Sequence, residues 1–402
     1  MLLFRWFLVA LCCACSAAAM ARSFPQHTMD WAGLANAIVK RLQLEPGEEV
    51  VLVAHPDRFQ SIVPHLRYAV MLAGGIDLGV ILVPAHPYPE SWDPKVVEAG
   101  FAASRKRYIE MLEQAEVGIM LPGTNPAHPV YSAFQVLLMD KGGARRTVHF
   151  HWTDAYSPSS DDTGLTGVTV LPGHPPPPLH VVDQLYQTAV IDSDDAAIAV
   201  RQARFAAALR NATVRVTSPA GTDISFRVGE RDIIQQNGNA SAERMRRGAP
   251  FLDREVEIPP GAVRVAPLEA SVNGVVVYPF SAWNGRTVID ATLHYQAGRI
   301  VRTEAAEGLE HLRAELAAAP EESRAFREFA LGFNPLLSVA AAKHAWIPYF
   351  GYGAGVVRLG IGNNGQLGGD VAGSYFRWRD LLIDATVTVG DTVWVRNGEL
   401  IR

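Results

Sequence analysis

The sequence predicts an α/β fold, with an N-terminal open α/β domain followed by a C-terminal β-rich α+β domain. Three observations carry this. Short apolar runs alternate with helical stretches over the first third of the chain, and alternating strands dominate after about residue 212. The chain has 402 residues, 49% of them hydrophobic, enough to bury two cores.

Taken in order, Trp31 to Leu42 has helical spacing. The segment EPGEEVVLVAHP then reads as a turn feeding a buried strand, Val50 to Ala54. A helical pattern through Leu66 to Leu72, Gly74-Gly75 and the apolar run Leu78 to Val83 complete a βαβ unit, which implies a parallel sheet. A helix from about Val97 to Ala115 leads to a strand at Val117 to Leu121, and Thr147 to Trp152 is a further strand. Residues 157–178 are rich in Ser, Asp, Gly and Pro and end in four prolines, the composition of a stiff surface loop. Asp194 to Asn211 reads as a helix. Strands follow at Val214–Val216, Ile224–Val228, Val263–Ala266, Gly274–Tyr278, Thr287–Tyr295 and Thr386–Val395, with one helix at Glu307–Ala317. The expected division is a leader over 1–21, an N-terminal domain over 22–190 and a C-terminal domain over 191–402.

The leader is read from MLLFRWFLVALCCACSAAAMA. One early cation, Arg5, precedes an apolar run, and small residues at Ala19 and Ala21 form a cleavage site before Arg22. Export to the periplasm or the extracellular space is expected, with no membrane span in the mature chain. Cys12, Cys13 and Cys15, the only cysteines, all fall inside the leader. The mature chain then has no thiol nucleophile, thiolate metal site or disulfide. A formal charge of -5 without a long basic run argues against a nucleic-acid partner.

Common catalytic signatures are missing. GYGAGVVRLG lacks the glycine spacing of a dinucleotide turn and reads as close-packed backbone, and neither H-E-x-x-H nor G-x-S-x-G occurs. His149 and His151 share one face of a strand, a spacing open to metal ligation; without a third clustered ligand they read as strand-surface histidines.

Four C-terminal segments stand out: VRVTSPAGTDISF (214–226), PPGAVRVAPLEASVNGVVV (259–277), EFALGFNP (328–335), and GAGVVRLGIGNNGQLGG followed by YFRWRDLLIDATVTV. In this order and spacing they resemble the aminopeptidase T/S family of metallo-aminopeptidases, from about Trp31 to the C-terminus. That resemblance implies an α/β domain, a β-rich domain carrying the site, a homodimer, and two divalent metal ions such as zinc or cobalt, held by two Glu, two His and one Asp, that activate a water.

Carried over residue by residue, the resemblance puts Ala262 at the first Glu, Glu328 at the second, Arg358 at the first His, and Arg377 and Arg379 at the paired His and Asp. Alanine has no donor atom, and an arginine offers N–H donors with no lone pair to a cation. The implied site is metal-free, with no cofactor, and is lined by Arg358, Arg377 and Arg379 around Glu328 as a possible acid/base. Glu269 is expected to order the cleft wall. Such a pocket suits a small anionic ligand, with altered or lost hydrolase activity. Two alternatives stand beside it. One is an active aminopeptidase acting on peptides with displaced ligands such as Asp380, His344 or His294. The other is a non-enzymatic envelope scaffold.

Overall fold

A computed structural model describes residues 28–83, 88–124, 128–139, 143–152, 167–248, 250–378 and 380–402. The expected leader with the three cysteines, Arg379 and residues 157–166 of the Pro-rich segment lie outside these.

Helix α1 (Trp31–Leu42) begins where the Asp30 carboxylate accepts the Gly33 N–H, relieving one of the unpaired donors of a first turn. Strand β1 (Glu49–Ala54) follows, apolar on both faces because helices cover both sides of a parallel sheet. Helix α2 (Val63–Leu72), β2 (Ile76–Leu82), α3 (Pro94–Met111), β3 (Val117–Met120), α4 (Pro129–Leu138) and β4 (Arg146–His149) complete the N-terminal layer. α3 starts at a capping Asp93 and α4 at a capping His128, each with proline at its first position, where the missing N–H costs nothing. The sequence pattern finds every one of these elements except α4.

The fifth strand of this sheet comes from far along the chain. β9 (Glu255–Glu257) runs parallel to β4, giving the order β2-β1-β3-β4-β9. The chain reaches β9 through α5 (Leu179–Asp192) and α6 (Asp195–Leu209) and three strands of the second half. A buried glutamine holds β9 in place: the Gln236 amide donates to the carbonyls of Leu252 and Glu255 and accepts the Glu257 N–H at 2.9 Å. Position 190, the expected boundary, is thus bridged by strand pairing. It is bridged again where β15 (Trp346–Ile347) pairs with β5 (Thr169–Val170) inside the proline-rich segment.

The second half is two stacked antiparallel sheets. One has the order β17-β16-β14-β10-β8: β17 (Phe376–Arg377), β16 (Val357–Gly362), β14 (Phe326–Gly332), β10 (Ala262–Val265) and β8 (Ile233–Gln236), with β18 (Leu381–Leu382) also on β16. The other runs β13-β12-β11-β7-β6-β19-β20-β21: β13 (Arg299–Glu304), β12 (Arg286–Gln296), β11 (Asn273–Trp283), β7 (Asp223–Arg227), β6 (Thr213–Thr217), β19 (Thr386–Val389), β20 (Thr392–Arg396) and β21 (Glu399–Leu400). The expected last strand, 386–395, is a hairpin instead, because Gly390 at φ 58° turns the chain between β19 and β20.

Between these sheets lies one apolar core, including Phe226, Val263, Val276, Phe329, Leu331, Leu359 and Val387. The alternation that buries Phe329 and Leu331 there sends Glu328 and Ala330 to the opposite face of β14. Ala262 packs in a separate core with Val50, Val148 and Tyr349, so that face meets the N-terminal layer. In the glycine-rich segment, Gly355 has φ 88° and passes so close to the turn between β20 and β21 that a Cβ would lie 1.9 Å from the Gly398 carbonyl oxygen. The close-packed reading of this segment holds.

Candidate functional site

Strand register builds the first cluster. Ala330 of β14 is flanked by Arg264 on β10 and Arg358 on β16, and Glu328 lies two residues away on the same face. A register irregularity between Phe326 and Glu328 brings in Arg327. Gly360, opposite Glu328, leaves the room; a Cβ there would lie 3.0 Å from Glu328 Cγ.

The Glu328 side chain is fully buried. Arg264 donates to its Oε2 at 3.0 Å, Arg358 Nε lies 3.3 Å from Oε1, and Arg327 Nε lies 3.9 Å from Oε1. Burial alone would raise the Glu328 pKa, yet Arg264, Arg358 and Arg327 together hold it at about 2. Burial lowers Arg327 to about 10 and also lowers Arg358, because removing a cation from water disfavours its charged form. Phe376 lies under the Arg327 guanidinium at 4.6 Å and Trp378 under that of Arg358 at 5.0 Å. Arg358 also donates to the Phe350 carbonyl at 3.0 Å. Even so, Nε and Nη1 of Arg327 and Nε and Nη2 of Arg358 have no hydrogen-bond partner among the described residues.

The expected grouping of arginines therefore changes. Arg358 does meet Glu328, but its companions are Arg264 and Arg327, which sequence reasoning missed. Arg377 makes ion pairs with Asp380 and with Glu315, and lies over the Trp283 ring at 3.8 Å. The physical reason is local: Asp380, three residues on, is nearer and accepts from both Nε and Nη2. Glu269 pairs with Arg231 at 2.6 Å and accepts from the Asn364 amide and the Asp370 N–H. The displaced ligands do not converge. Asp380 is held by Arg377, His344 is exposed in a turn, and His294 sits on β12 against Arg302 and Glu304.

A second polar cluster follows from the alternation of two paired strands. Thr147 pairs with Glu255, Val148 with Val256 and His149 with Glu257. The two valines enter the core on one face. The polar residues therefore share the other face, under α4, whose Tyr131 and Gln135 lie one turn apart. His149 is buried there, not on the surface as its spacing suggested, with Tyr131 Oη at 2.5 Å from Nδ1 and Thr147 Oγ1 at 2.7 Å from Nε2. Burial lowers its pKa to about 4, so the ring is neutral at ordinary pH.

His151 Nε2 lies 3.5 Å from Glu257, and the Tyr349 hydroxyl donates to the same carboxylate at 3.0 Å. Burial would raise Glu257, but His151, His149 and the Tyr349 hydrogen bond bring it to about 2. Glu255 goes the opposite way. Burial raises it to about 7, against a hydrogen bond from Gln135 and reinforced by the charge of Glu257. The clusters adjoin: Arg264 acts electrostatically on both Glu255 and Glu257, and ring contacts run from His151 to Phe350 at 5.8 Å and on to Trp378 at 4.9 Å.

The metal pair that the family resemblance implies does not fit the residues present. At its implied positions stand Ala262, a Glu328 carboxylate engaged by guanidinium groups, Arg358 and Arg377. Among the described residues no three His, Asp or Glu side chains converge as a metal ion would need.

Comparison with known proteins agrees with the resemblance. Residues 180–342 match the model of the thermophilic metalloprotease (M29) family. No relative among curated proteins matches. Two solved structures share the fold, each with a TM-score of 0.58 and covering 92% of this chain. Wild-type AmpT from Thermus thermophilus is 16% identical and covered over 99% of its length; 2,5-dihydroxypyridine dioxygenase from Pseudomonas putida KT2440 is 14% identical and covered over 96%. A scaffold shared with two such different enzymes fixes architecture and leaves the reaction to the site.

Proposed function

We propose, from the premise that residues 180–342 carry the thermophilic metalloprotease (M29) pattern, that this is an exported aminopeptidase T/S-like protein whose metal centre is replaced by an anion-binding arginine cluster. One observation carries the reading. Two buried guanidinium groups, Arg327 and Arg358, and the nearly buried Arg264 face a single buried carboxylate; the Nε atoms of Arg358 and Arg327 lie 3.3 and 3.9 Å from Glu328 Oε1, and among the described residues Nη1 of Arg327 and Nη2 of Arg358 lack a hydrogen-bond partner. Buried cations without matching anions are costly, and a carboxylate or phosphate supplies both the charge and the paired acceptors that guanidinium groups favour. The aromatic faces of Phe376 and Trp378 hold the cations meanwhile.

Thermal unfolding with succinate and with inorganic phosphate tests this. A ligand at a hundred times its Kd stabilises by about 2.7 kcal/mol. The wild type is expected to gain several degrees, and Arg327→Met and Arg358→Met to lose most of that gain. Two outcomes overturn the reading. No stabilisation by either anion leaves a scaffold without this ligand. Close to two tightly held metal ions per chain, with chelator-sensitive cleavage of a leucyl amide, restores the metallo-aminopeptidase.

A further inference from the structure

Two short strands, β17 and β18, pair in succession with the same strand, β16. Together with the end of β11 and the small β5–β15 sheet they border a cavity of about 730 Å³. Sites for small organic molecules occupy roughly 300–1,000 Å³ and are mostly apolar with a few polar groups that fix orientation. This cavity has that character. Its apolar wall includes Val170, Leu171, Ile347, Leu381 and Phe280, and the phenyl group of Phe280 is left 45% exposed. An apolar body laid against that wall removes the exposed ring from water, which is favourable in proportion to the area covered. Nothing in the anion-binding reading uses this space, although Phe376 and Trp378, which touch the guanidinium groups of Arg327 and Arg358, also line it.

The polar side of the cavity is unbalanced in charge. Its one described cation, Arg377, is matched twice over: Asp380 accepts from Nε and Nη2, and Glu315 lies 3.4 Å from Nη1. Glu315 also accepts from the Tyr375 hydroxyl at 2.8 Å and from the Asn284 N–H. A third carboxylate, the half-buried Asp384, lines the same cavity and has no hydrogen bond or ion pair among the described residues. Three carboxylates around one guanidinium repel an anion and attract a cation, most strongly where apolar walls lower the local dielectric. We propose that this cavity binds a hydrophobic organic cation, an arylalkyl amine. Its ammonium group donates to the Asp384 carboxylate, and its apolar body lies against Phe280, Leu171 and Ile347. The site therefore selects the charge opposite to that of the arginine cluster, and it rests on none of the unpaired donors that carry the anion-binding reading.

The probes are 4-phenylbutylamine, 4-phenylbutanol and 4-phenylbutanoate, one shape with three head groups, titrated calorimetrically into the full chain at neutral pH. The amine is expected to bind tightest, about tenfold or more above the alcohol, because a hydrogen bond to a carboxylate is strengthened when its donor is charged. Asp384→Asn keeps the shape and removes the charge; it should weaken the amine about tenfold and leave the alcohol within about twofold. Phe280→Ser should weaken amine and alcohol alike, by about fivefold or more. Asp384 has no partner to lose and Phe280 is half exposed, so both variants should unfold at the wild-type temperature. If Phe280→Ser does not fold, the Asp384→Asn comparison decides alone. Equal affinity for amine and alcohol, tighter binding of the carboxylate, or wild-type affinity for the amine in Asp384→Asn overturns the proposal. So does the absence of amine binding at millimolar concentration. Stabilisation by succinate reads the arginine cluster separately, so either site can fail without the other.

Discussion

Glu328 shows how a single position changes meaning when its neighbours change. In a ring of guanidinium groups its charge is needed, and Glu328→Gln should cost about 3–5 kcal/mol by leaving buried cations uncompensated, read as a large drop in Tm. Because its pKa is lowered, the stability it supplies is present at neutral pH and is lost only as pH falls from the ordinary carboxylate range towards about 2. Acid titration of unfolding should therefore be flatter in Glu328→Gln than in the wild type. Glu255 has the opposite sign. Its raised pKa means that stability falls as pH rises from about 4.5 to about 7, so Glu255→Gln should be the more stable protein at pH 8, by on the order of 2 kcal/mol, and equal to the wild type near pH 4. Glu328 and Arg358 were legible in the sequence because the resemblance pointed at them. Arg264 and Arg327 were not, since one reaches the cluster through strand pairing and the other through a register irregularity that no spacing rule announces.

Among the elements, strands and helices with unmixed periodicity were read closely: α1 spans the residues its pattern predicts, and β1, β2 and β3 fall within two residues of theirs. The short ones were not. β9 has three residues, E-V-E, and no local signal separates such a strand from a loop; what makes it a strand is β4 beside it and Gln236 behind it. The same limit hid the second cluster. The T-V-H and E-V-E alternations are visible, but nothing in the sequence says that they are neighbours. Helix α4 escaped for a related reason, as its proline and apolar run do not distinguish helix from strand at ten residues. The glycine-rich stretch offers a direct test at this scale. Gly355→Ala adds a methyl group against the Gly398 carbonyl at a φ that alanine rarely adopts, and should lower stability by more than about 2 kcal/mol in denaturant unfolding.

For the whole molecule, the order of layers was legible and their interlocking was not. Two domains were expected; buried apolar residues gather in two large clusters and two small ones, and what the sequence could not show is that residues 240–262 and 337–352 supply one wall of the N-terminal cluster. This has a consequence for biosynthesis. An N-terminal sheet whose last strand begins at Glu255 stays open until that part of the chain has emerged, and for the intervening hundred residues the edge of β4 offers unpaired N–H and C=O groups to any passing strand. A fragment ending at residue 190 should therefore aggregate, and one ending at about residue 350 should remain far more soluble, as sedimentation of the two would show. The growing protein must be held unfolded or shielded through that interval, so the strand that completes the sheet also sets the earliest moment at which the chain can leave the care of its chaperones.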